Sequence, residues 1–116
     1  KTQVLRQAQR YPNLPISSNV KGVVSLYDVS DDWIPIYDKS DLPGFYMAIG
    51  SSGNQYKNAP VAGVMMADLI EACEGGHNHD KDPLGVNLKY INREINLGFY
   101  SRNRVINSES SMSVLG

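Results

Sequence analysis

The stretch from Asn58 to Glu74 leaves a folding chain few options. Val61, Val64, Met65, Leu69 and Ala72 recur at helical spacing, and Ala62, Met66, Ile70 and Cys73 form a second stripe beside the first. Asp68, Glu71 and Glu74 leave only a narrow polar strip between them. The spacing predicts a helix over Asn58–Glu74, with Pro60 suited to its first turn and Gly75-Gly76 ending it. A helix apolar on nearly every side needs cover on most of its surface. A chain of 116 residues does not obviously supply that much cover.

What precedes this helix gives it chemical interest. Phe45–Ile49 (FYMAI) is a short continuous apolar run, expected to be a strand covered on both faces as in parallel sheets. A polar loop, GSSGNQ from Gly50 to Gln55, then opens onto the helix. Amides exposed at a helix N-terminus, with glycines allowing close approach, make an anion site. Lys57 stands at the positive end of the helix and Glu71 and Glu74 at the negative end, the reverse of what the macrodipole favours. An anionic ligand at the N-terminus would offset the Lys57 mismatch, whereas the plainer reading points Lys57 into water. The loop lacks the GxxxxGK spacing of a P-loop, and the chain contains no GxGxxG dinucleotide fingerprint.

Around this core motif the pattern is mixed α and β. Lys1–Arg10 is expected to be a short helix ended by Tyr11-Pro12 and Leu14-Pro15. Lys21–Val29 (KGVVSLYDV), rich in β-branched and aromatic residues, reads as a strand. Asp31-Asp32 turns the chain into an extended run from Trp33 to Tyr37, which Pro35 marks as an edge. Asp41–Gly44 (DLPG) is a tight turn. Leu84–Ile91 is a further strand, and the tail from Asn92 is polar apart from Leu97–Tyr100. Composition adds exclusions: a net charge of -1 gives no general attraction to nucleic acid or anionic lipid, and no apolar run approaches a membrane span. The single cysteine, Cys73, cannot form an internal disulfide, so a reducing, cytoplasmic setting is expected.

The run DLPGFYMAIGSSGNQYKNAPVAGVMMADLI resembles the C-terminal flavin segment of the D-amino-acid oxidase superfamily, in particular its sarcosine and dimethylglycine oxidoreductase branch. That segment has the approximate form PGxYxAxGxSGxGFKxAPxxGxxxAxLI. Upstream, SLYDVSDDWIPIYD is similar to the family's GLYDxTPDxxPI, and the closing INLGFYSRNRVINSESSMSVLG is similar to the tails of some members, so the resemblance spans about residues 20 to 116. It implies FAD as cofactor, bound across a Rossmann-type domain to which this strand, loop and helix belong. By position, Gly50, Ser52, Gly53, Asn54, Gln55 and Lys57 would line the cofactor. Helix amides and Lys57 would stabilise the negative charge of the reduced ring, and Lys57 would alternatively meet a substrate carboxylate. Tyr27 falls where relatives place an aromatic residue or a carboxylate-binding arginine at the substrate pocket, and its plainer reading is an ordinary strand tyrosine. Ser25 aligns with the cysteine that carries covalent flavin in monomeric sarcosine oxidases, so no such link is expected there, while a histidyl link elsewhere stays open. Gln55 replaces the family's second loop glycine and Tyr56 its phenylalanine, which puts the fit to the flavin in doubt at that point.

The resemblance divides the chain into the end of a substrate domain (1–40), the FAD-binding strand–loop–helix (41–76) and a C-terminal extension (77–116). The expected function is that of the C-terminal part of an oxidoreductase acting on the C–N bond of a small secondary amine or amino acid by hydride transfer to FAD. Its missing partner would be the N-terminal part of the same protein, and residues 1–116 alone are expected to bind FAD weakly or not at all and to be inactive. The rival is a non-catalytic binding module derived from that family. Other clusters carry less. His77, His79, Asp80 and Asp82 crowd one flexible loop without the geometry of a zinc site. Cys73 reads as a small buried hydrophobe, Asp31, Asp32 and Asp38 as turn and loop residues, and Arg93, Arg102 and Arg104 as solvated or facing a partner domain.

Overall fold

The computed structural model describes residues 2–19 and 21–110. Lys1, expected to open the first helix, Val20, and the last six residues of the tail lie outside the described residues. In chain order come helix α1 (Thr2–Arg10), strands β1 (Ile36–Lys39) and β2 (Tyr46–Ile49), helix α2 (Ala59–Glu74), and strands β3 (Gly85–Leu88) and β4 (Arg93–Asn96). Single 3-10 turns occupy Tyr56–Asn58 and Leu97–Tyr100. The class is mixed α and β, with two separate antiparallel pairs, β1–β2 and β3–β4.

The β1–β2 hairpin forms because Asp41–Gly44 turns the chain as its composition predicts. Gly44 adopts φ 75°, and the Ser40 amide donates to the Phe45 carbonyl at 2.8 Å. The register sets Ile36 opposite Ile49 and Lys39 opposite Tyr46. β2 therefore differs from expectation: it pairs antiparallel, and Ala48 and Ile49 are exposed rather than covered on both faces. β1 begins at Ile36 and not at Trp33, because Trp33 turns through a left-handed conformation with φ 61°.

One flank of α2 packs on this hairpin. Met65 and Leu69 are buried with Tyr37 of β1, Val86 of β3 and Leu97, and Ala62, Met66 and Cys73 pack half-buried against them. Tyr100 lies 5.2 Å from Tyr37, ring centre to ring centre. The helix ends at a Schellman motif. Gly76 turns to φ 94°, its amide donates to the Cys73 carbonyl, and the His77 amide donates to that of Ala72, both at 3.0 Å. Val61, Val64 and Ile70 stay exposed, so the all-round burial that the sequence leads one to expect reaches only one side of the helix.

Two other expectations fail. Lys21–Val29 is extended but forms no strand, and Val23, Val24 and Leu26 are 94%, 99% and 97% exposed. Its β-branched residues favour a strand, but a strand exists only where another backbone pairs with it. Conversely β4, in the tail read only as polar, pairs with β3 through Val86 opposite Ile95. Ile95 is the one apolar residue of Arg93–Asn96, which left too little alternation to read. With α1 burying no residue and Val23, Val24 and Leu26 almost fully exposed, the radius of gyration is 18.8 Å, against about 13 Å for a compact chain of this length.

Replacing Leu69, which is fully buried, by alanine should lower unfolding stability by about 2–5 kcal/mol in urea titrations. Val64→Ala, on the exposed face, should change it by less than about 1 kcal/mol.

Candidate functional site

The loop after β2 coils through three positive φ angles, at Gly50 (67°), Ser52 (51°) and Gly53 (74°). This turns successive backbone N–H groups inward, the geometry of an anion-binding nest. The anion held there is the chain's own Asp28. Its carboxylate accepts from the Gly50 amide, from the Ser51 amide at 3.2 Å and from the Ser51 hydroxyl at 2.7 Å. The Ser52 amide donates to the Asp28 carbonyl at 2.9 Å. The Ser51 hydroxyl foremost, with the backbone donors, holds the Asp28 carboxyl below its ordinary pKa. At Gly50 a side chain would meet Ser30 Cβ at 3.3 Å and would be strained by the φ angle as well.

The expected flavin-facing residues divide into two groups. Gly50 and Ser52 are buried, and the Ser52 hydroxyl donates to the Gly50 carbonyl at 3.1 Å. Gly53, Asn54, Gln55 and Lys57 form the outer lip, where the Lys57 ammonium donates to the Asn54 carbonyl at 3.1 Å. Gln55 ties the lip together: its amide oxygen accepts from Tyr37 OH at 3.3 Å and from the Asn58 side chain at 2.9 Å, and its amide nitrogen donates to Asn54 Oδ1. Beside it runs a groove of about 320 Å³ lined by Tyr37, Ile49, Ser51, Gln55, Ala62 and Met66. Lys57 and Tyr27 do not line this groove; Tyr27 is half exposed and Ser25 is exposed, its hydroxyl donating to the Leu26 carbonyl at 3.5 Å. At the far end of α2, Glu74 accepts from Tyr46 OH at 2.6 Å, which pushes the phenol up to about 12.

A second polar system fastens the C-terminal segment to β1 and the turn before it. Asp32 is buried and meets Arg104 as a fork: Nε to Oδ2 at 2.9 Å and Nη2 to Oδ1 at 2.6 Å. The arginine also donates to the carbonyls of Ile34 at 2.9 Å and Ser101 at 3.1 Å. The guanidinium holds the Asp32 carboxyl far below the usual carboxylate range. Asp38, wholly buried, accepts at Oδ2 from Ser101 Oγ, the Arg102 amide and Arg102 Nη1 at 2.9, 2.8 and 3.2 Å. Arg102 also grips Asp80 at 2.8 Å and Asp41 at 2.6 Å, while Lys39 reaches Asp80 at 2.5 Å. Arg102 first, then Lys39, pull the Asp80 carboxyl down to about 2.

Asp32, Asp38, Arg102 and Arg104 are thus neither loop ornaments nor solvated charges, as their sequence context suggested, but partners in buried or half-buried ion pairs. No periodicity advertises such pairs; the SRNR spacing, two arginines two apart, was the available sign. His77 meets the Asp82 carbonyl at 2.7 Å while His79 and Asp80 bond elsewhere, and among the described residues no group of three or more His, Cys, Asp or Glu is placed to hold a metal ion. Cys73 is half-buried, and burial raises its thiol pKa. Among the described residues no helix is long and apolar enough to cross a membrane.

The chain matches no protein-family model, no curated protein and no solved structure.

Replacing Asp28 by asparagine removes the anion from the nest while keeping its shape. Hydrogen exchange at the Gly50 and Ser51 amides should quicken about fivefold, since an exposed charge-assisted contact is worth about 1 kcal/mol. Replacing Arg104 by methionine leaves Asp32 buried without its cation and should cost about 3–5 kcal/mol in urea unfolding, with Arg104→Lys intermediate.

Proposed function

We propose that this chain is the C-terminal part of a flavin-dependent oxidoreductase that oxidises the C–N bond of a small secondary amine or amino acid. The observation that carries the reading is the β2–loop–α2 unit. Positive φ angles at Gly50, Ser52 and Gly53 shape the loop, and it opens onto a helix with no acidic residue in its first turn and Lys57 beside it. In this reading the unit completes a Rossmann-type FAD-binding domain, residues 41–76, after the end of a substrate domain. The apolar face of α2 left open at Val61 and Val64 gives that larger domain a surface to cover.

The residues present fit FAD in part. Gly53, Asn54, Gln55 and Lys57 are the accessible lip and would hold the cofactor, whereas Gly50 and Ser52 are buried and act by shaping the loop. Bound FAD supplies the hydride acceptor. Lys57, on a lip otherwise free of charge, supplies the positive charge that an anionic ring edge or a substrate carboxylate requires. Gln55, fixed by Tyr37 and Asn58, bars the closest backbone approach that a glycine would permit, so contact at this point falls to its amide side chain. Tyr27, on the segment that Asp28 anchors beside the loop, is the side chain available to a substrate pocket from that direction.

One observation favours a second reading. Asp28 already fills the nest at Gly50 and Ser51, which suits a non-catalytic module whose loop is self-satisfied.

The protein purified from the intact gene should show flavin absorption near about 370 and 450 nm and bleach anaerobically with a secondary amine or N-methyl amino acid. Lys57→Met should slow that bleaching roughly 10- to 100-fold without loss of folding. A colourless protein that stays colourless with added FAD would sink the oxidoreductase reading and leave the binding module.

A further inference from the structure

His79 occupies a position that neither its sequence context nor the proposed reaction explains. It is 1% exposed, and its Nε2 has no hydrogen-bond partner. Its Nδ1 accepts from the Leu84 amide at 3.1 Å. An acceptor nitrogen carries no proton, so the neutral ring holds its proton on Nε2. That N–H faces Asp38 Oδ1 across 3.7 Å, too far for a hydrogen bond and too close for a bridging water. The ring therefore links β1, through Asp38, to the residue that leads into β3. The link rests on one real bond and one unmade one.

Charged and titratable groups surround it on every side. β1 presents Asp38 and Lys39, and its own loop presents His77 and Asp80. The Cys73 thiol at the end of α2 meets the His79 backbone amide. Arg102 stands behind Asp38, which already accepts from the Ser101 hydroxyl, the Arg102 amide and the Arg102 side chain.

We propose that His79 is an acid-sensitive latch: a proton taken up from water at Nδ1 breaks the His79–Leu84 bond and frees the start of the β3–β4 hairpin from β1. The Nδ1 lone pair that accepted the Leu84 N–H becomes an N–H donor, so two donors face one another and the contact turns repulsive. The Asp80 clasp to Lys39 and Arg102 holds through this range, because its carboxyl is drawn down to about 2. The loop thus stays on β1 while the hairpin loosens at Leu84, which makes the 77–82 loop a hinge and not a detached strand.

The sign follows from the ring's surroundings. Burial disfavours the cation and outweighs the attraction of Asp38 and Asp80, so the folded ring's pKa lies below its ordinary 6.5. The unfolded chain then takes up the proton first. The stability due to the neutral ring is fully present above about pH 6.5 and declines as pH falls through that value towards the folded pKa.

The test is a pH titration of the native protein by NMR, following the His79 ring and the protection of the Leu84 amide corrected for intrinsic exchange. The ring should titrate below 6.5, and Leu84 protection should fall at least about tenfold between about pH 7.5 and 5 while Leu69 in α2 keeps its own. His79→Gln, whose amide oxygen can accept from Leu84 without titrating, should remove that dependence. A ring that titrates at or above 6.5, unchanged Leu84 protection, or an equal loss in His79→Gln would overturn the latch. If the variant does not fold, the titration of the native protein decides alone.

Discussion

Asp32 and Asp38 have left water almost completely, and a carboxylate does so only when something returns what solvent supplied. Arg104 forks onto the first; Arg102, its own amide and the Ser101 hydroxyl converge on the second. These contacts do more than satisfy charge. They hold the left-handed turn at Trp33, set the entry into β1, and lay the Leu97–Tyr100 turn against Tyr37, so that Leu97 seals a core of five buried residues. A core that small cannot choose its arrangement by apolar area alone. The ion pairs fix which segment lies where, and the hydrophobic contacts then make the arrangement favourable.

The sequence was informative where structure is local and periodic. The two apolar stripes located α2 within one residue of its start, Gly75-Gly76 marked its end, DLPG marked the β1–β2 turn, and the Gly-Ser composition after β2 pointed to a polar loop opening onto the helix. It was silent where structure depends on pairing. Lys21–Val29 has every local quality of a strand but no ladder, only the single backbone bond from the Ser52 amide to the Asp28 carbonyl, while Arg93–Asn96 has almost none and finds β3. The carboxylate–guanidinium contacts left little trace beyond the two arginines two apart in SRNR, since no repeating pattern links Asp32 and Asp38 to them. The candidate site divides the same way. The loop was legible, but its occupant, Asp28, was not, because a carboxylate 22 residues upstream of Gly50 is brought there only by the fold.

Two of the apolar stretches that the fold leaves uncovered lie on either side of the candidate loop. Val23, Val24 and Leu26 on the free segment, and Val61 and Val64 on α2, flank the Asp28-filled loop in sequence, and neither set is used by the core. Water contacts of this kind are tolerated singly but are unusual in such density. They are what the proposed oxidoreductase would bury in the remainder of its flavin domain. The nest itself is closed from within, the Asp28 carboxylate satisfying three of its donors.

The ion pairs also impose an order of events. Asp32 is joined to Arg104 across 72 positions and Asp38 to Arg102 across 64. On the ribosome, α2 and both hairpins emerge before the two arginines that lock the turn ahead of β1 into place. Until residues 101–104 are released, Asp32 and Asp38 keep their water, and the turn at Trp33 and Leu97 rest on their local bonds alone. Closing so long a loop is slow compared with forming a hairpin or a helix. Final consolidation of this domain therefore waits until its arginine-bearing segment is free to return.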